Sequence, residues 1–521
     1  MVRMQQIHLG VSSRGYKAIE ANGTEHSLYS QQDEKHEALL LSKCSAEIWP
    51  FKSYSLGCSR PILIGKHHQS QAQKLHHALK TAITDIISRW WKDEEAKFSS
   101  RMPLDREEED LLKWIELQEE QGNLPKYPTR LGSWRPDFLI EDCQSTGGGE
   151  RFRITEINAR FCFNGLMHAC YGQQALDDLG MEGSGLMGAA DGTEASRTMS
   201  IAHQHLASTH EHLNSNQWQF LDGVLELFSP HLPLHLVKGE EQGIDISMFI
   251  HAVQARLGLT PRLITPAHLR LVADEHEASG FKLCCLVEAN SASSAAGFLS
   301  PDGEVVEQIH QVGLVLFQHE LAQLGREMRR QLSLRCFNDM RTVLLVHDKR
   351  MLGIVKQELQ WLVQHNVLSP SQAAILDEGL ADTILPGSSQ LHQLQRLTPA
   401  AKHDYILKPV RSGKGMGIVF GEDLSDAQWM AQLSRLGSAD SVFSQGLLLQ
   451  RRITQQLYTV LLPGWGQVRQ YALVGTYHVV NGRFVGIGIW RTNGRRICAV
   501  SDGAAWLCSV MACPDKTARG V

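Results

Sequence analysis

The sequence predicts an α/β protein with segregated α+β parts, and three observations predict it. Apolar residues at helical spacing run through the first quarter of the chain, strand and helix patterns alternate in the middle, and short strands separated by Asn-Gly turns fill the end. At 521 residues, with 43% apolar and 21% charged, the chain exceeds a single ordinary core of roughly 100–200 residues, so two or three subdomains are expected.

Region 1–130 is expected to be mainly helical: a stretch at about 68–95 spaces Leu75, Leu79, Ile83, Ile86 and Ile87 on one face, and a charged stretch covers 104–121. Region 131–224 opens with two strand patterns, 134–140 (WRPDFLI) and 152–157 (FRITEI), joined by QSTGGGE as a hairpin. Region 225–335 reads strand (LPLHLVKG), helix (Ile246 to Leu257, stopped by Gly258), strand (PRLIT) and apolar strand (VGLVLFQ), a small α/β unit with a parallel sheet. In region 336–521, Asp348-Lys349 opens an apolar helix, 405–421 forms strand, Gly-rich turn and strand, and 447–500 is strand-rich with turns at Pro463-Gly464, Asn481-Gly482 and Asn493-Gly494.

The net charge of −5 and an isoelectric point near 6.6 give no basic footprint for nucleic acid, so phosphate binding must be local. No leader pattern and no run of about 18 apolar residues is found, and a cytoplasmic protein without a membrane span is expected. Eleven cysteines are scattered without a CxxC, with Cys284 and Cys285 adjacent, which suits reduced thiols. The histidine groups His67, His68, His76, His77 and His203, His205, His210, His212 do not repeat the HExxH spacing, so solvated helix faces are expected for both.

Four features carry chemistry. Glu156 and Asn158, two apart on a strand, present oxygens on one face, and Asp137 on the partner strand adds a third, a set of hard ligands suited to magnesium. In YILKPVRSGKGMGIVF, Lys408 ends a strand, and Gly413, Gly415 and Gly417 let backbone N–H groups approach phosphate. Lys349 stands at a helix start, and Arg469 and Arg491 flank the apolar hairpin around Asn481-Gly482. Each alone has a plainer explanation: a solvated carboxylate hairpin, a glycine turn, a surface lysine, an exposed strand-end arginine.

Together, in chain order, these motifs resemble the ATP-grasp superfamily. The resemblance assigns Lys349, Lys408 and the flap residues Ser412, Gly413, Lys414, Gly415 and Gly417 to the triphosphate of ATP, and Leu449, Gln450 and Arg451 of the hinge to adenine. It makes Asp137, Glu156 and Asn158 the ligands of Mg2+, with Mn2+ as the alternative, and gives Arg491, Lys408 and Arg469 catalytic roles. The metal strands precede the lysines, the circularly permuted order of eukaryotic glutathione synthetase and glutathionylspermidine synthetase, with 225–335 where those enzymes carry an inserted substrate domain. Three positions depart from that pattern: Ser412 replaces an acidic flap residue, no Asp or Glu follows the hinge within 450–460, where Gln455 is the candidate substitute, and Asn493 replaces a lysine.

The resemblance implies an ATP-dependent ligase that couples a small-molecule carboxylate to an amine through an acyl phosphate. A protein-modifying amino-acid ligase and a nucleotide-binding protein without turnover remain as alternatives. Arg135, Arg160 and Arg491 are the candidates for binding the substrate carboxylate, although Arg135 and Arg160 could equally pair with a neighbouring acid. Nucleic-acid and membrane partners are not expected, and a homodimer is compatible with the sequence.

Overall fold

The structure is a computed structural model that describes residues 3–10, 15–20, 26–143, 149–189, 219–242, 245–277, 279–287, 297–397, 399–437, 446–464 and 466–513. Its architecture is mixed α/β. At its centre lies a five-stranded antiparallel sheet in the order Ala505–Leu507, Arg483–Thr492, Val474–Val480, Ser133–Glu141, Arg151–Asn158. The hairpin expected at 134–157 is therefore formed, and its first strand pairs directly with the strand from Val474, with Asp137 opposite Thr476.

Alternation along Ser133–Glu141 explains which face does what. Trp134, Phe138 and Ile140 are buried in the large core, while Arg135, Asp137 and Leu139 line a cavity on the other face. In the partner strand Phe152, Ile154 and Ile157 all join the core, a spacing that strict alternation cannot produce. A register shift at Asp137/Phe138, which leaves Thr155 without a ladder partner, supplies the missing half-step. This bulge turns Glu156 and Asn158 to the cavity although they share parity with the buried Phe152 and Ile154.

A second antiparallel sheet, in the order Thr383–Ile384, Leu447–Arg451, Tyr405–Pro409, Val419–Phe420, packs on the helix Asp426–Gly437 through Trp429, Leu433 and Leu436. Within 225–335 the expected parallel sheet is present as Val312–Val315, His235–Lys238, Arg262–Ile264. That region also holds an unexpected four-stranded antiparallel sheet of Leu269–Ala273, Phe281–Leu286, Phe298–Leu299 and Val305–Gln308. Three consecutive buried residues, Leu283, Cys284 and Cys285, erase the alternation that would have announced it.

The first 130 residues contain the long helices His26–Lys43, Lys66–Arg89 and Arg106–Glu120, and also strands. Gln5–Leu9 and Ile62–Ile64 form one sheet with Leu186–Gly188 and Ser509–Ala512, so both ends of the chain share it. The expectation of solvated histidine faces is overturned for His68 and His76. Both are buried, because Lys66–Arg89 runs through the main core. His76 lies 3.0 Å from the Gly482 carbonyl.

His68 Nδ1 accepts from Gly65 N at 2.9 Å, and its Nε2 meets Glu150 at 2.7 Å. His67, His68 and Glu150 are close enough together to suggest a metal. With Nδ1 accepting, however, the proton sits on Nε2 and is donated to Glu150, which leaves no lone pair for an ion. The group His203, His205, His210 and His212 lies outside the described residues. Among the described residues no helix is long and apolar enough to cross a membrane.

Phe152 is 1% exposed, with its ring centroid 4.4 Å from that of Phe138 directly behind the carboxylate strands. Phe152→Ala is expected to lower unfolding free energy by about 3–5 kcal/mol, read as a fall in the urea midpoint at constant slope.

Candidate functional site

The cavity bounded by the central sheet, the Tyr405–Phe420 hairpin and the start of the helix Ile246–Leu257 has a volume of about 1100 Å3. Asp137, Glu156 and Asn158 lie on its floor. Arg135 holds Asp137 with two contacts, Nε to Oδ1 at 2.8 Å and Nη2 to Oδ2 at 3.1 Å. Arg491, two strands away in the same sheet, donates Nη2 to Asp137 Oδ2 at 2.6 Å. Lys349 Nζ lies 3.4 Å from Glu156 Oε2 and donates to the Ser412 carbonyl at 2.6 Å.

Two carboxylates thus sit among four cations in a buried place. Burial pushes the Glu156 carboxyl upward, but Lys349, Lys408, Arg135 and Arg491 outweigh it and hold the group below the usual carboxylate range. Lys408 is 6% exposed, and burial, reinforced by Lys349 and opposed by Glu156 and Asp137, pushes its ammonium down to about 8. Asn158 Nδ2 is buried without a hydrogen-bond partner among the described residues. Two carboxylates and an amide on paired strands fit a small divalent cation: the donors are hard oxygens, and the surrounding lysines and arginines favour the ionised form of Glu156.

The flap projects over this floor. Gly415 has φ +72°, and a Cβ there would come 2.2 Å from Ile497 Cγ2; Gly417 has φ +75°, with Pro409 Cγ 2.8 Å away, so side chains are excluded at both. Ser412, Gly413, Lys414 and Gly415 line the cavity, and Lys414 Nζ reaches Glu241 across it at 3.0 Å. Gly417 shapes the turn without lining the cavity. In the hinge strand Leu449 is fully buried, Gln450 lines the cavity while donating to the Thr155 carbonyl at 3.1 Å and Thr383 Oγ1 at 3.0 Å, and the Arg451 side chain is 61% exposed. Gln455 lines the cavity with a buried Oε1 that accepts no hydrogen bond among the described residues.

Of the candidates for carboxylate recognition, Arg135 is committed to Asp137 and to the Asn164 carbonyl, at 2.9 Å. Arg160 makes no ion pair among the described residues: Nη2 donates to the Arg411 carbonyl, Nε to nothing, and burial together with Arg411 pushes its guanidinium down to about 10. Arg469 is not brought to the site. It is exposed at the start of the strand Arg469–Ala472, in a two-stranded ribbon outside the central sheet, with Nη2 on Gln467 Oε1 at 3.3 Å. Asn493 braces its own turn, donating to the Ile497 carbonyl at 3.2 Å.

Sequence reasoning missed Arg411, inside the Gly-rich motif. Its Nε donates to Asp348 at 3.0 Å and its two Nη atoms to Glu108 at 3.1 Å. Its charge beside Lys408 and Lys349 in the same motifs was the available signal.

Residues 75–345, just over half of the chain, match the family model described as AnkG N-terminal domain. A relative described as ATP-grasp enzyme ankG, from Aspergillus thermomutatus, is 35% identical over 451 residues, covering 85% of this chain and 86% of that protein. The chain belongs to the AnkG family of ATP-grasp enzymes. A glutathione synthetase-like effector (GSS30) from Globodera pallida, solved in apo form, superposes with a TM-score of 0.49 at 11% identity, covering 94% of this chain and 98% of that one.

The Lys408 shift has a measurable consequence in this AnkG-family protein. Between pH about 8 and 10.5 the unfolded chain keeps the proton that the folded chain has released, so this group makes stability rise with pH across that window and imposes its full penalty below about 8. Lys408→Met is expected to flatten that rise and to stabilise the fold at pH about 7 by on the order of 1–3 kcal/mol, measured by denaturant unfolding at stepped pH.

Proposed function

We propose that this protein is an ATP- and magnesium-dependent carboxylate–amine ligase that activates a small-molecule carboxylate as an acyl phosphate and forms an amide, releasing ADP and phosphate. The observation that carries the reading is the convergence of Lys349, Lys408 and Arg491 on the Asp137–Glu156 pair in one cavity covered by the Gly-rich flap. We read the motif order as a circularly permuted ATP-grasp, with the parallel-sheet unit of 225–335 as the inserted substrate domain. The direct pairing of Ser133–Glu141 with Val474–Val480 supports this, because it joins the early carboxylate strands to the late arginine strand in one sheet.

Phosphoryl transfer asks the protein for position and charge rather than for a nucleophile. Lys408 and Lys349 neutralise the triphosphate, and the backbone N–H groups of 412–417 close over it and exclude water. Asp137, Glu156 and Asn158 would hold the magnesium ion, whose chemistry there is to offset charge on the transferring phosphoryl group. The Leu449–Arg451 backbone reads adenine, and the unsatisfied Gln455 Oε1 accepts from the ribose hydroxyls. Arg160 binds the substrate carboxylate, since it faces the cavity with donors to spare. Arg491, with Nε free of any partner among the described residues, stabilises the oxyanion formed when the amine attacks.

The test is an ADP-release screen of pairwise mixed carboxylates and amines. With a working pair, Lys408→Ala should lower turnover at least about a hundredfold while the fold survives, and wild-type release in that variant would remove the reading. Glu156→Gln should raise the magnesium concentration needed for half-maximal rate, whereas full activity in chelator would show that the three ligands are only a polar hairpin. Arg160→Ala should raise KM for the carboxylate at least about tenfold and leave that for ATP unchanged; the opposite pattern would place Arg160 on the nucleotide.

A further inference from the structure

The wall opposite the flap carries an acid that the reading above leaves unused. Four acidic residues line the cavity: Asp137, Glu156, Glu241 and Asp245. The first three are paired with Arg135 and Arg491, with Lys349, and with Lys414 respectively. Asp245 has no lysine or arginine partner among the described residues. It is 2% exposed, and both of its carboxylate oxygens are buried without a hydrogen bond. His168 Nδ1 stands 3.6 Å from Asp245 Oδ1, within ion-pair reach were the imidazole protonated but outside hydrogen-bond length.

A carboxylate desolvated in this way is costly unless a cation completes it. Its setting is nevertheless built with care. His168 Nε2 lies 2.9 Å from Ser53 Oγ, and Ser53 follows two residues, Phe51 and Lys52, with φ of 54° and 52°. Left-handed backbone at two consecutive non-glycine positions is held against steric preference, and such strain gathers where a group must be positioned. Ser53 is fully buried and does not line the cavity, so Ser53, His168 and Asp245 are not a nucleophilic triad. His478 is pressed well below its ordinary range by burial and by Arg135 and Arg491, with Asp245 and Asp137 opposing. Next to Asp245 the wall is apolar, formed by Ile246 and by Phe163, whose ring stacks on Phe249 at 4.0 Å.

We propose that Asp245 is the recognition site for the ammonium group of the amine substrate, with His168 as its positioning residue and Phe163 and Ile246 receiving a compact apolar body. This rests on the ligase reading, because it names the second substrate of that reaction.

The test titrates the full-length chain, saturated with magnesium and a non-hydrolysable ATP analogue, with L-alaninamide, n-butylamine and the uncharged N-acetyl-L-alaninamide by calorimetry. At least one of the two amines is expected to bind and the uncharged probe not to; Asp245→Asn should weaken amine binding at least about tenfold and leave analogue affinity unchanged. Failure of both amines to bind the parent, equal binding of the uncharged probe, or parent-like amine affinity in Asp245→Asn would overturn the assignment. Should the variant not fold, the charged and uncharged probes on the parent still decide. Amine binding without ADP release from any carboxylate would keep this site and remove the ligase reading, whereas ADP release that Asp245→Asn leaves unchanged would do the reverse.

Discussion

The pairing of Ser133–Glu141 with Val474–Val480 is the contact on which the rest of the structure depends. It sets Asp137 opposite Thr476, and the next strand then brings Arg491 to Asp137 across 354 positions of sequence. A slip of one residue would turn Arg135 and Asp137 into the core and expose Trp134 and Phe138, both fully buried, Phe138 against Phe152 and Trp490 and Trp134 against His76. The packed aromatic face therefore enforces the geometry of the polar face behind it.

That polar face is a balance of costs. Asp137 is held by Arg135 and Arg491, the cations around Glu156 keep its carboxyl below the usual range, and Glu156 and Asp137 in turn offset the mutual repulsion of Lys408 and Lys349. The depressed Lys408 ammonium records the stability given up to bury a charge there. Charges fixed in this way need little reorganisation on meeting an anionic ligand, so the arrangement gives up folding stability for a preset local field.

The N-terminal part of the chain has a place in this balance. Glu108, from the helix Arg106–Glu120, receives Arg411 at the root of the flap, and Arg411 also holds Asp348, which binds Arg350 at 2.7 Å. Lys349 N donates to the Val410 carbonyl at 2.9 Å, so the helix that carries Lys349 and the strand that carries Lys408 are locked to each other and to the N-terminal helices. The flap is anchored at its base by Arg411 and at its tip by the Lys414–Glu241 pair.

Features governed by neighbours in sequence were legible from the start. The Asn481-Gly482 turn, with φ of 45° and 73°, the glycine flap, the Lys349 helix start and the 133–158 hairpin each follow from local spacing and backbone preference. What tertiary structure alone decided is where those pieces meet. The bulge at Thr155 moved Glu156 off the face that its alternation with Phe152 and Ile154 assigned, core packing buried His68 and His76 on a helix whose histidines looked solvated, and Arg469 fell on a side ribbon while Arg491 reached the acids. Asp245 gave no signal at all, being one aspartate at a helix start until the cavity closed round it. The physical reason is common to all four: a side chain's charge and reach are written in its own residue, but its solvation and its partners are set by strands and helices hundreds of positions away.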